Sequence, residues 1–384
     1  MSRNICIVTG TRAEYGIMKA MIRSISNSSK LNLQIVVTGT HISPEYGFTI
    51  KDIINDGFNI DAEVPMIVSG NTKQSMAMSV GVGIIGMTQV FNQLKPDIVV
   101  VLGDRFEILS AAISAVYSGY VLAHLSGGDS LSGGYDEYTR HAISKIAHLH
   151  FPFTKKCADR LIRMGEDPEH IYLTGSPAID TILQIKMDDV LTIKRKYSIP
   201  EEADYCLLVQ HPLSTDPLNA KDEIIATLTA IEKLNIPTLI IYPNVDPGSN
   251  YIINMIEEYA GSHNNVILCK NVPFEEYLSL MKHASVMIGN SSSAILEAPS
   301  FCTPVVNIGN RQSGREQGGN VINVPPDTEK IQDAINTALF DESFREKVKK
   351  SINPYGDGSA SQKITKIFEE IAIDESILRK QFCY

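Results

Sequence analysis

Residues 97–105 read Asp97-Ile98-Val99-Val100-Val101-Leu102-Gly103-Asp104-Arg105. An unbroken apolar run rich in β-branched residues favours a strand that is buried on both faces, which is typical of parallel sheets. The run ends at a glycine, and an acid and a base follow directly. Because ligands of open α/β sheets bind beyond the carboxyl ends of the strands, this stretch predicts a fold class and also the place of a site.

Similar runs alternate with helical patterns on both sides of this stretch. In the first half they are Asn4–Val8, Leu33–Thr38 and Val121–Leu125, with a helical pattern over Glu14–Ser26. The alternation restarts after Pro200, and the later runs are Tyr205–Val209, Thr238–Tyr242, Val266–Cys269, Val286–Ile288 and Pro304–Ile308. The pattern predicts an α/β protein of two Rossmann-like, doubly wound domains.

Composition and weak-signal segments set the expected domain limits. We predict an N-terminal Rossmann-like domain over residues 1–182, a charged linker region over 183–200, and a C-terminal, nucleotide-binding Rossmann-like domain over 201–358. A last helical piece, residues 359–384, has no strand after it and is expected to cross back to the first domain. Polar, glycine-rich sequences follow strands in both halves, so one cleft between two facing domains is the simplest arrangement.

Bulk properties exclude several classes of partner. The chain has 384 residues, 43% of them hydrophobic, and a formal net charge of -10, which argues against nucleic acid and anionic membranes. No apolar stretch approaches the roughly 20 residues of a membrane-spanning helix. The six cysteines show no CxxC spacing, which favours reduced thiols and a cytoplasmic location.

A serine cluster follows one strand of the second half. The sequence Gly289-Asn290-Ser291-Ser292-Ser293 precedes a helical pattern in which Glu297 lies about two turns in. Small residues and helix-start N–H groups favour a phosphate, and Glu297 can accept hydrogen bonds from ribose hydroxyls. The alternative is an ordinary helix cap, although three serines and a glutamate exceed what capping needs.

Charged residues of the first half offer acids, bases and phosphate contacts. Asp104 suits proton transfer and Arg105 suits a bidentate phosphate contact, whereas a turn or a local ion pair would explain both equally well. Downstream, Asp136-Glu137-x-x-Arg140-His141 places acid–base pairs four residues apart, as solvated pairs on a helix also do. No grouping has metal-ligand spacing, and His148 and His150 are interpreted as structural.

His211 ends a strand of the second half, where that half would present a group to the cleft. The ordinary near-neutral pKa of histidine suits proton transfer or a phosphate contact. Gly10-Thr11-Arg12 is not a GxGxxG fingerprint, and no GxxxxGK[ST] loop occurs. A nicotinamide-dependent dehydrogenase is therefore disfavoured, and no cofactor is expected.

Taken together, the motifs resemble those of the hydrolysing UDP-N-acetylglucosamine 2-epimerases, in family order and over nearly the whole chain. They are Gly10-Thr11-Arg12-Ala13-Glu14-Tyr15-Gly16, Gly103-Asp104-Arg105, His124-x-x-Gly127-Gly128-Asp129, Asp136-Glu137-x-x-Arg140-His141, Gln210-His211-Pro212, Gly289-Asn290-Ser291-Ser292 and Arg311-Gln312-x-x-Arg315. The resemblance implies the glycosyltransferase-B fold, a UDP-activated N-acetyl sugar as substrate, no NAD or metal, and a homodimer. It also implies C2 proton abstraction, loss of UDP and hydration of a glycal.

The resemblance also implies roles for individual residues. Asp104 and Asp136 match acidic catalytic positions, and His211 matches the active-site histidine. The positions that match nucleotide and phosphate contacts are Arg12, Arg105, Ser291, Ser292, Glu297 and Arg315. Arg140, Arg311 and Asp129 are motif positions that are expected to contact substrate.

One departure from the family pattern bears on the substrate. Many members carry Glu two residues after the histidine where this chain has Ser126, which cannot act as a base near neutral pH, and Asp129 is the nearest carboxylate. The loop before Asp136 is also one residue longer than in the sialic acid pathway members. Both features resemble a branch that acts on UDP-2,4-diacetamido-trideoxyhexose, on the route to legionaminic acid. UDP-N-acetylglucosamine, which would give UDP and N-acetylmannosamine, is the first expected substrate, and the diacetamido sugar is the alternative. A glycosyltransferase or a non-catalytic nucleotide-sugar binding protein are the alternatives of other classes.

Overall fold

The structure is a computed structural model. It describes residues 2–44, 48–69, 72–130, 135–212, 219–234, 236–243, 248–270 and 272–383, apart from the side chain of Tyr135. The chain divides into two compact units, which we call unit 1 (Met1–Leu183 with Pro354–Tyr384) and unit 2 (Gln184–Asn353). In the described part, no helix is long and apolar enough to cross a membrane.

The strands form one parallel six-stranded sheet in each unit, with helices between consecutive strands except between the last two. The strands are β1 (Arg3–Thr9), β2 (Leu31–Thr38), β3 (Ala62–Val64), β4 (Ile98–Leu102), β5 (Val121–Leu125), β6 (Leu149–Phe151), β7 (Cys206–Val209), β8 (Thr238–Ile241), β9 (Val266–Cys269), β10 (Val286–Gly289), β11 (Val305–Ile308) and β12 (Val321–Val324). The helices are α1 (Arg12–Ser26), α2 (Ile50–Asn55), α3 (Lys73–Leu94), α4 (Phe106–Tyr117), α5 (Tyr135–Ile146), α6 (Lys155–Arg163), α7 (Pro177–Gln184), α8 (Val190–Lys196), α9 (Ala220–Glu232), α10 (Ser249–Ser262), α11 (Phe274–His283), α12 (Ser293–Leu296), α13 (Thr328–Phe340), α14 (Glu342–Lys349), α15 (Ala360–Glu370) and α16 (Glu375–Leu378). The predicted fold class is therefore confirmed.

Both sheets are buried on both faces, as the apolar runs predicted. Along β1, Ile5 and Ile7 face a core that includes Phe368 of α15, while Cys6 and Val8 face a core built with α3 and α4. Successive strand residues point to opposite faces of a sheet, so a strand that is apolar at every position needs a helical layer on each side. The sheet of unit 2 has the same two-sided core.

The strand order places one topological switch point in each unit. Unit 1 has the order β3-β2-β1-β4-β5-β6, and unit 2, read from its other edge, has the equivalent order β9-β8-β7-β10-β11-β12. The chain leaves the central pair in opposite directions, which opens a crevice beyond the ends of β1 and β4 in unit 1 and of β7 and β10 in unit 2.

Two helical predictions need correction. The predicted last helix is two helices, α15 and α16, because Asp374 accepts hydrogen bonds from the N–H groups of Ser376 and Ile377 and starts a new helix. The serine-rich helix α12 has a single turn, so Glu297 stands at its end and not two turns in. Within the predicted linker, α8 forms and packs against α11 of unit 2.

Candidate active site

The loop after β4 sends its two charged side chains to different partners. Gly103 makes the turn with φ +80°, a conformation that favours glycine. Asp104 contacts the guanidinium of Arg140, which is 36 residues further along the chain on α5. Arg105 donates two hydrogen bonds to Glu107, at 2.8 and 3.2 Å. Asp104 thus has a long-range partner, whereas Arg105 forms a local ion pair, one of the alternatives that the sequence left open.

Arg140 joins two carboxylates of the strand ends. Its side chain is buried, its Nη2 contacts Asp104, and its Nη1 lies 3.9 Å from an Oδ of Asp129. The two acids follow neighbouring strands, β4 and β5, so the parallel sheet brings them to one edge. A buried guanidinium between two acids keeps the acids close together without leaving their charges uncompensated.

The first turn of α5 carries further polar groups. Asp136 is exposed there, and its charge helps to raise the pKa of Arg105. Burial is the largest effect and lowers that pKa, but the hydrogen bonds that Arg105 donates to Glu107 and the charges of the neighbouring acids outweigh it. Glu137 accepts from Ser130 Oγ at 2.8 Å and lies 3.3 Å from His141, which confirms the predicted pair four residues apart. The loop over residues 131–134 lies outside the described residues.

A buried histidine connects the elements at this edge of the sheet. His124 lies in β5, where Nε2 is 2.8 Å from the carbonyl oxygen of Gly103 and Nδ1 is 3.1 Å from Ser144 Oγ. Burial lowers the pKa of His124 to about 3, so the ring is neutral. A carbonyl only accepts, so Nε2–H donates to Gly103 and Nδ1 accepts from Ser144. The histidine therefore ties β5, the loop after β4 and helix α5 together.

At the end of β1, the predicted site residue is exposed, and the buried acids are ones that the sequence did not predict. Arg12 is exposed at the start of α1 and forms only a surface pair with Asp52 at 3.4 Å. The buried acids nearby are Glu14 and Glu107, and neither was predicted as a site residue. Glu14 accepts from the N–H of Gly10 at 2.8 Å, and burial raises the pKa of Glu14 to about 7.

In unit 2 the predicted residues after β7 and β10 are joined directly. The N–H of His211 donates to Asn290 Oδ1 at 2.7 Å, and Asn290 Nδ2 donates to the carbonyl oxygen of His211 at 2.9 Å. Gly289 allows this close approach, because a Cβ at its position would lie 2.1 Å from the carbonyl oxygen of Val209. The structure thus places His211, which is buried, at the switch point of unit 2.

The loop after β11 closes over the same place. Arg311 and Gln312 both donate to the carbonyl oxygen of Asn290, at 3.1 and 2.9 Å. Arg315 in turn donates to Gln312 Oε1 at 2.9 Å. Two predicted arginines are therefore gathered beside the residues after β10, where they can face an anion.

The serine cluster is held by side-chain hydrogen bonds. Ser291 Oγ and Ser293 Oγ are 2.8 Å apart, and Ser293 also contacts the hydroxyl of Tyr277, which was not predicted. Because α12 has one turn, its macrodipole is small, and an anion here would depend on hydroxyls, N–H groups and arginines. Burial raises the pKa of Glu297 to about 7, although the charge of Arg315 opposes this.

A group of metal ligands or a separate cavity could also indicate a site. Among the residues that the structure describes, no group of three or more acids, histidines or cysteines could hold a metal ion. A cavity of about 470 Å³ in unit 1, lined by residues such as His148, Glu166 and Lys380, contains none of the predicted site residues. Asn244, which follows the strand predicted over Thr238–Tyr242, lies outside the described residues.

Comparison with known proteins identifies the family of the chain. The family model described as UDP-N-acetylglucosamine 2-epimerase matches residues 23–369. The chain belongs to the UDP-N-acetylglucosamine 2-epimerase family. It is an enzyme of the hydrolysing nucleotide-sugar 2-epimerase class, and its two Rossmann-like units are those of the glycosyltransferase-B fold.

Three similar members of this epimerase family illustrate the match. The UDP-N,N'-diacetylbacillosamine 2-epimerase (hydrolyzing) of Legionella pneumophila is 38% identical over 384 residues, which is 100% of both chains. The GDP/UDP-N,N'-diacetylbacillosamine 2-epimerase (hydrolyzing) of Campylobacter jejuni is 36% identical and covers 83% of this chain and 84% of its own. The solved structure of the Neisseria meningitidis UDP-GlcNAc 2-epimerase bound to UDP-GlcNAc has a TM-score of 0.78 at 19% identity, covering 96% of this chain and 100% of that one.

Proposed function

We propose that the chain hydrolyses UDP-N,N'-diacetylbacillosamine, a UDP-2,4-diacetamido-trideoxyhexose, and inverts carbon 2 of the sugar. The observation that carries this proposal is the full-length match to the Legionella enzyme. Ser126 and the longer loop before Asp136 support the same branch of the family. UDP-N-acetylglucosamine is the second candidate, because the family model and a Neisseria relative of 33% identity carry that name.

The reaction balances without a cofactor. A base removes the proton on C2, the C1–O bond to the β-phosphate breaks, and UDP leaves with the electron pair of that bond, giving a 2-acetamidoglycal. Water then adds across C1=C2 and leaves its hydroxyl on C1. The new proton reaches C2 on the face opposite to the one from which the first proton was removed, which inverts C2. One water is consumed, and the products are UDP and the free 2-epimer.

Acids of unit 1 are assigned to the proton transfers. Asp104 and Asp136 are the proposed catalytic acids, and Asp136 is exposed at the start of α5, where a ligand can reach it. Asp129 shares Arg140 with Asp104, and we assign to it the carboxylate that Ser126 cannot supply. General acid–base catalysis by such groups contributes about 10²–10⁴-fold to a rate.

The nucleotide is assigned chiefly to unit 2. Ser291 and Ser292 can donate to phosphate oxygens, and Arg311 and Arg315 supply positive charge beside them. His211 can donate to the departing phosphate, and Glu297 can accept from ribose hydroxyls. In unit 1, Arg12 and Arg105 are the proposed additional phosphate contacts, because their guanidinium groups remain open to solvent in part.

Product analysis in heavy water tests the function. The purified protein is incubated with UDP-N,N'-diacetylbacillosamine in D₂O and followed by proton NMR. We expect UDP and the free 2-epimer with deuterium on C2. Products from UDP-N-acetylglucosamine alone would shift the assignment to the second candidate. Sugar release only in the presence of an acceptor would indicate a glycosyltransferase, and UDP binding without products from either sugar would indicate a binding protein.

A homodimer is the proposed assembly, and one exposed helix face supports it. Helix α3 has no charged residue between Lys73 and Lys95. Met78, Val82 and Ile85 follow one another at helical spacing and are 55%, 42% and 64% exposed. A continuous apolar stripe on a single chain marks a contact surface, and an uncharged stripe can pack against its own copy about a twofold axis.

A further inference from the structure

Glu107 is a buried carboxylate to which the proposed reaction gives no role. It lies in the first turn of α4, two residues after Arg105, and its side chain is fully buried. A buried charge is costly unless it is paired and hydrogen-bonded, so its partners indicate its purpose. Its neighbours include Arg105, which follows β4, and two glycines in the loops after β1 and β2 of unit 1.

The first partner is Arg105, which Glu107 binds through two hydrogen bonds. Nη2 donates to Oε1 at 2.8 Å and Nε donates to Oε2 at 3.2 Å. A bidentate pair fixes the plane and direction of a guanidinium, which a single contact does not. The Arg105 side chain is still 41% exposed, and Glu107 does not use its Nη1.

Two glycines supply independent evidence that the chain is built around this carboxylate. A Cβ at Gly39 would lie 2.9 Å from Glu107 Cγ, and one at Gly10 would lie 3.1 Å from Glu107 Cβ. The N–H of Thr40 donates to the carbonyl oxygen of Gly10 at 2.9 Å and joins the two loops. Glu107 therefore packs against the loops after β1 and β2 while it holds the arginine that follows β4.

Glu14 completes the cluster but is less suited to hold the arginine. Its Oε1 lies 3.9 Å from Arg105 Nε, and its Oε2 accepts from Gly10. Burial raises the pKa of Glu14 to about 7, and the charge of Glu107 adds to this effect. A carboxyl that is partly protonated near neutral pH is a weak partner for arginine, which leaves Glu107 as the main one.

We propose that Glu107 is a positioning residue, which orients the Arg105 guanidinium toward the diphosphate of the substrate and sets the loops after β1 and β2 around it. This inference rests on the proposed function, because it takes Arg105 as a phosphate contact. Glu107 itself is too buried to touch the substrate.

Kinetics and UDP binding of Glu107→Gln, Arg105→Ala and the double variant test this role. We expect Glu107→Gln to raise KM and the Kd of UDP, measured by calorimetry, about tenfold, with a smaller change in kcat. Because Glu107 acts through Arg105, it should have little further effect in the Arg105→Ala background. Glu107→Asp, which keeps the charge, should recover part of the loss.

Asp180→Asn is the matched control. Asp180 is an equally buried acid of unit 1, but it accepts from the N–H groups of Ala360 and Ser361 at the start of α15. We expect it to lower Tm and to leave KM and the Kd of UDP unchanged. Loss of folded protein alone lowers apparent kcat and not the affinity of the remaining enzyme.

Unchanged KM and UDP affinity in Glu107→Gln would overturn the inference, as would an effect that adds fully to that of Arg105→Ala. If Glu107→Gln does not fold, Glu107→Asp carries the same comparison. A wild-type protein that forms no product but binds UDP would contradict the proposed function alone, since the binding comparison still decides the role of Glu107.

Discussion

His211 and Asn290 exchange two hydrogen bonds across the switch point of unit 2. The N–H of His211 donates to Asn290 Oδ1 at 2.7 Å, and the amide of Asn290 donates back to the carbonyl oxygen of His211 at 2.9 Å. The carbonyl oxygen of Asn290 also accepts from Arg311 and Gln312. One asparagine therefore fixes the backbone of the predicted active-site histidine and the loop that carries the arginines.

Replacing Asn290 with Asp should keep one of the two hydrogen bonds with His211 and remove the other. The aspartate still accepts from the N–H of His211, but it puts a carboxylate oxygen against the carbonyl oxygen of His211. We expect kcat to fall about tenfold or more, because His211 moves, and Tm to fall by several degrees. Steady-state kinetics and calorimetry check this, with Asn323→Asp as the control in β12, where the side chain bonds Gln317. An Asn290→Asp variant as active as the control would remove this pair from the site.

A second prediction concerns the buried Glu166, which is paired with Lys145, His150 and Lys380. Burial alone would raise the pKa of Glu166, but the bonds from His150 and Lys380 lower it to about 2 from the ordinary 4.5. The stabilisation from this depressed pKa is complete above about pH 4.5 and is lost as the pH falls toward 2. Glu166→Gln leaves the ammonium groups of Lys380 and Lys145 without their carboxylate partner and should cost about 3 kcal/mol at pH 7.

Denaturant unfolding at several pH values measures this effect. The free-energy difference between wild type and Glu166→Gln should be constant from pH 7 to pH 5 and should shrink below pH 4.5. Glu346→Gln is the control, since Glu346 makes only a surface pair with Lys349. A difference that does not depend on pH would show that Glu166 contributes through its shape and not through its charge.

The apolar face of α3 yields a prediction about assembly. Ile85 is 64% exposed, and Ile85→Glu places a charge in the middle of the uncharged stripe. If two copies meet there, the two charges face each other near the twofold axis, and the dimer should dissociate. Light scattering after size exclusion measures the mass. Ile352→Glu is the matched control, because Ile352 is 83% exposed and lies in unit 2. A dimer that persists in Ile85→Glu but dissociates in the control would place the interface elsewhere.

Much of the fold follows from the sequence because the central strands are apolar at every position. The run that ends at Gly103 predicts a doubly buried strand, and the polar residues after it fall at the sheet edge as a consequence. The edge strands β3, β6 and β12 were not predicted. Two have three residues each, and the third is only partly buried, so they carry too little apolar signal.

The sequence predicts which residues belong to the site better than it predicts which of them contact one another. The sequence offers Asp136 as the local partner of Arg140, yet the structure gives Arg140 the distant Asp104, and only the parallel sheet brings these two together. Glu107 escaped prediction because an acid in the first turn of a helix is ordinary. The sequence did contain a signal for the short α12: Pro299 has no N–H to donate to the carbonyl oxygen of Ile295, four residues back, so the α-helix cannot continue through it.

We expect Asp129, and not the residue at position 126, to supply the second carboxylate of unit 1. Asp129 lies 3.9 Å from Arg140, which also contacts Asp104, whereas Ser126 has a hydroxyl that cannot act as a base near neutral pH. Asp129→Asn keeps the size and the hydrogen-bonding capacity of the side chain but removes its charge. We expect kcat to fall about a hundredfold, with little change in the Kd of UDP, because UDP is assigned mainly to unit 2.

Ser126→Ala is the matched comparison and should keep most of the wild-type kcat. The measurements are kcat from NMR progress curves and incorporation of solvent deuterium at C2, for both variants and wild type. If Asp129 takes part in the proton transfer, Asp129→Asn should also slow the exchange at C2. A large loss in Ser126→Ala together with a nearly normal Asp129→Asn would contradict the assignment, because the residue two positions after His124 would then matter without a carboxylate.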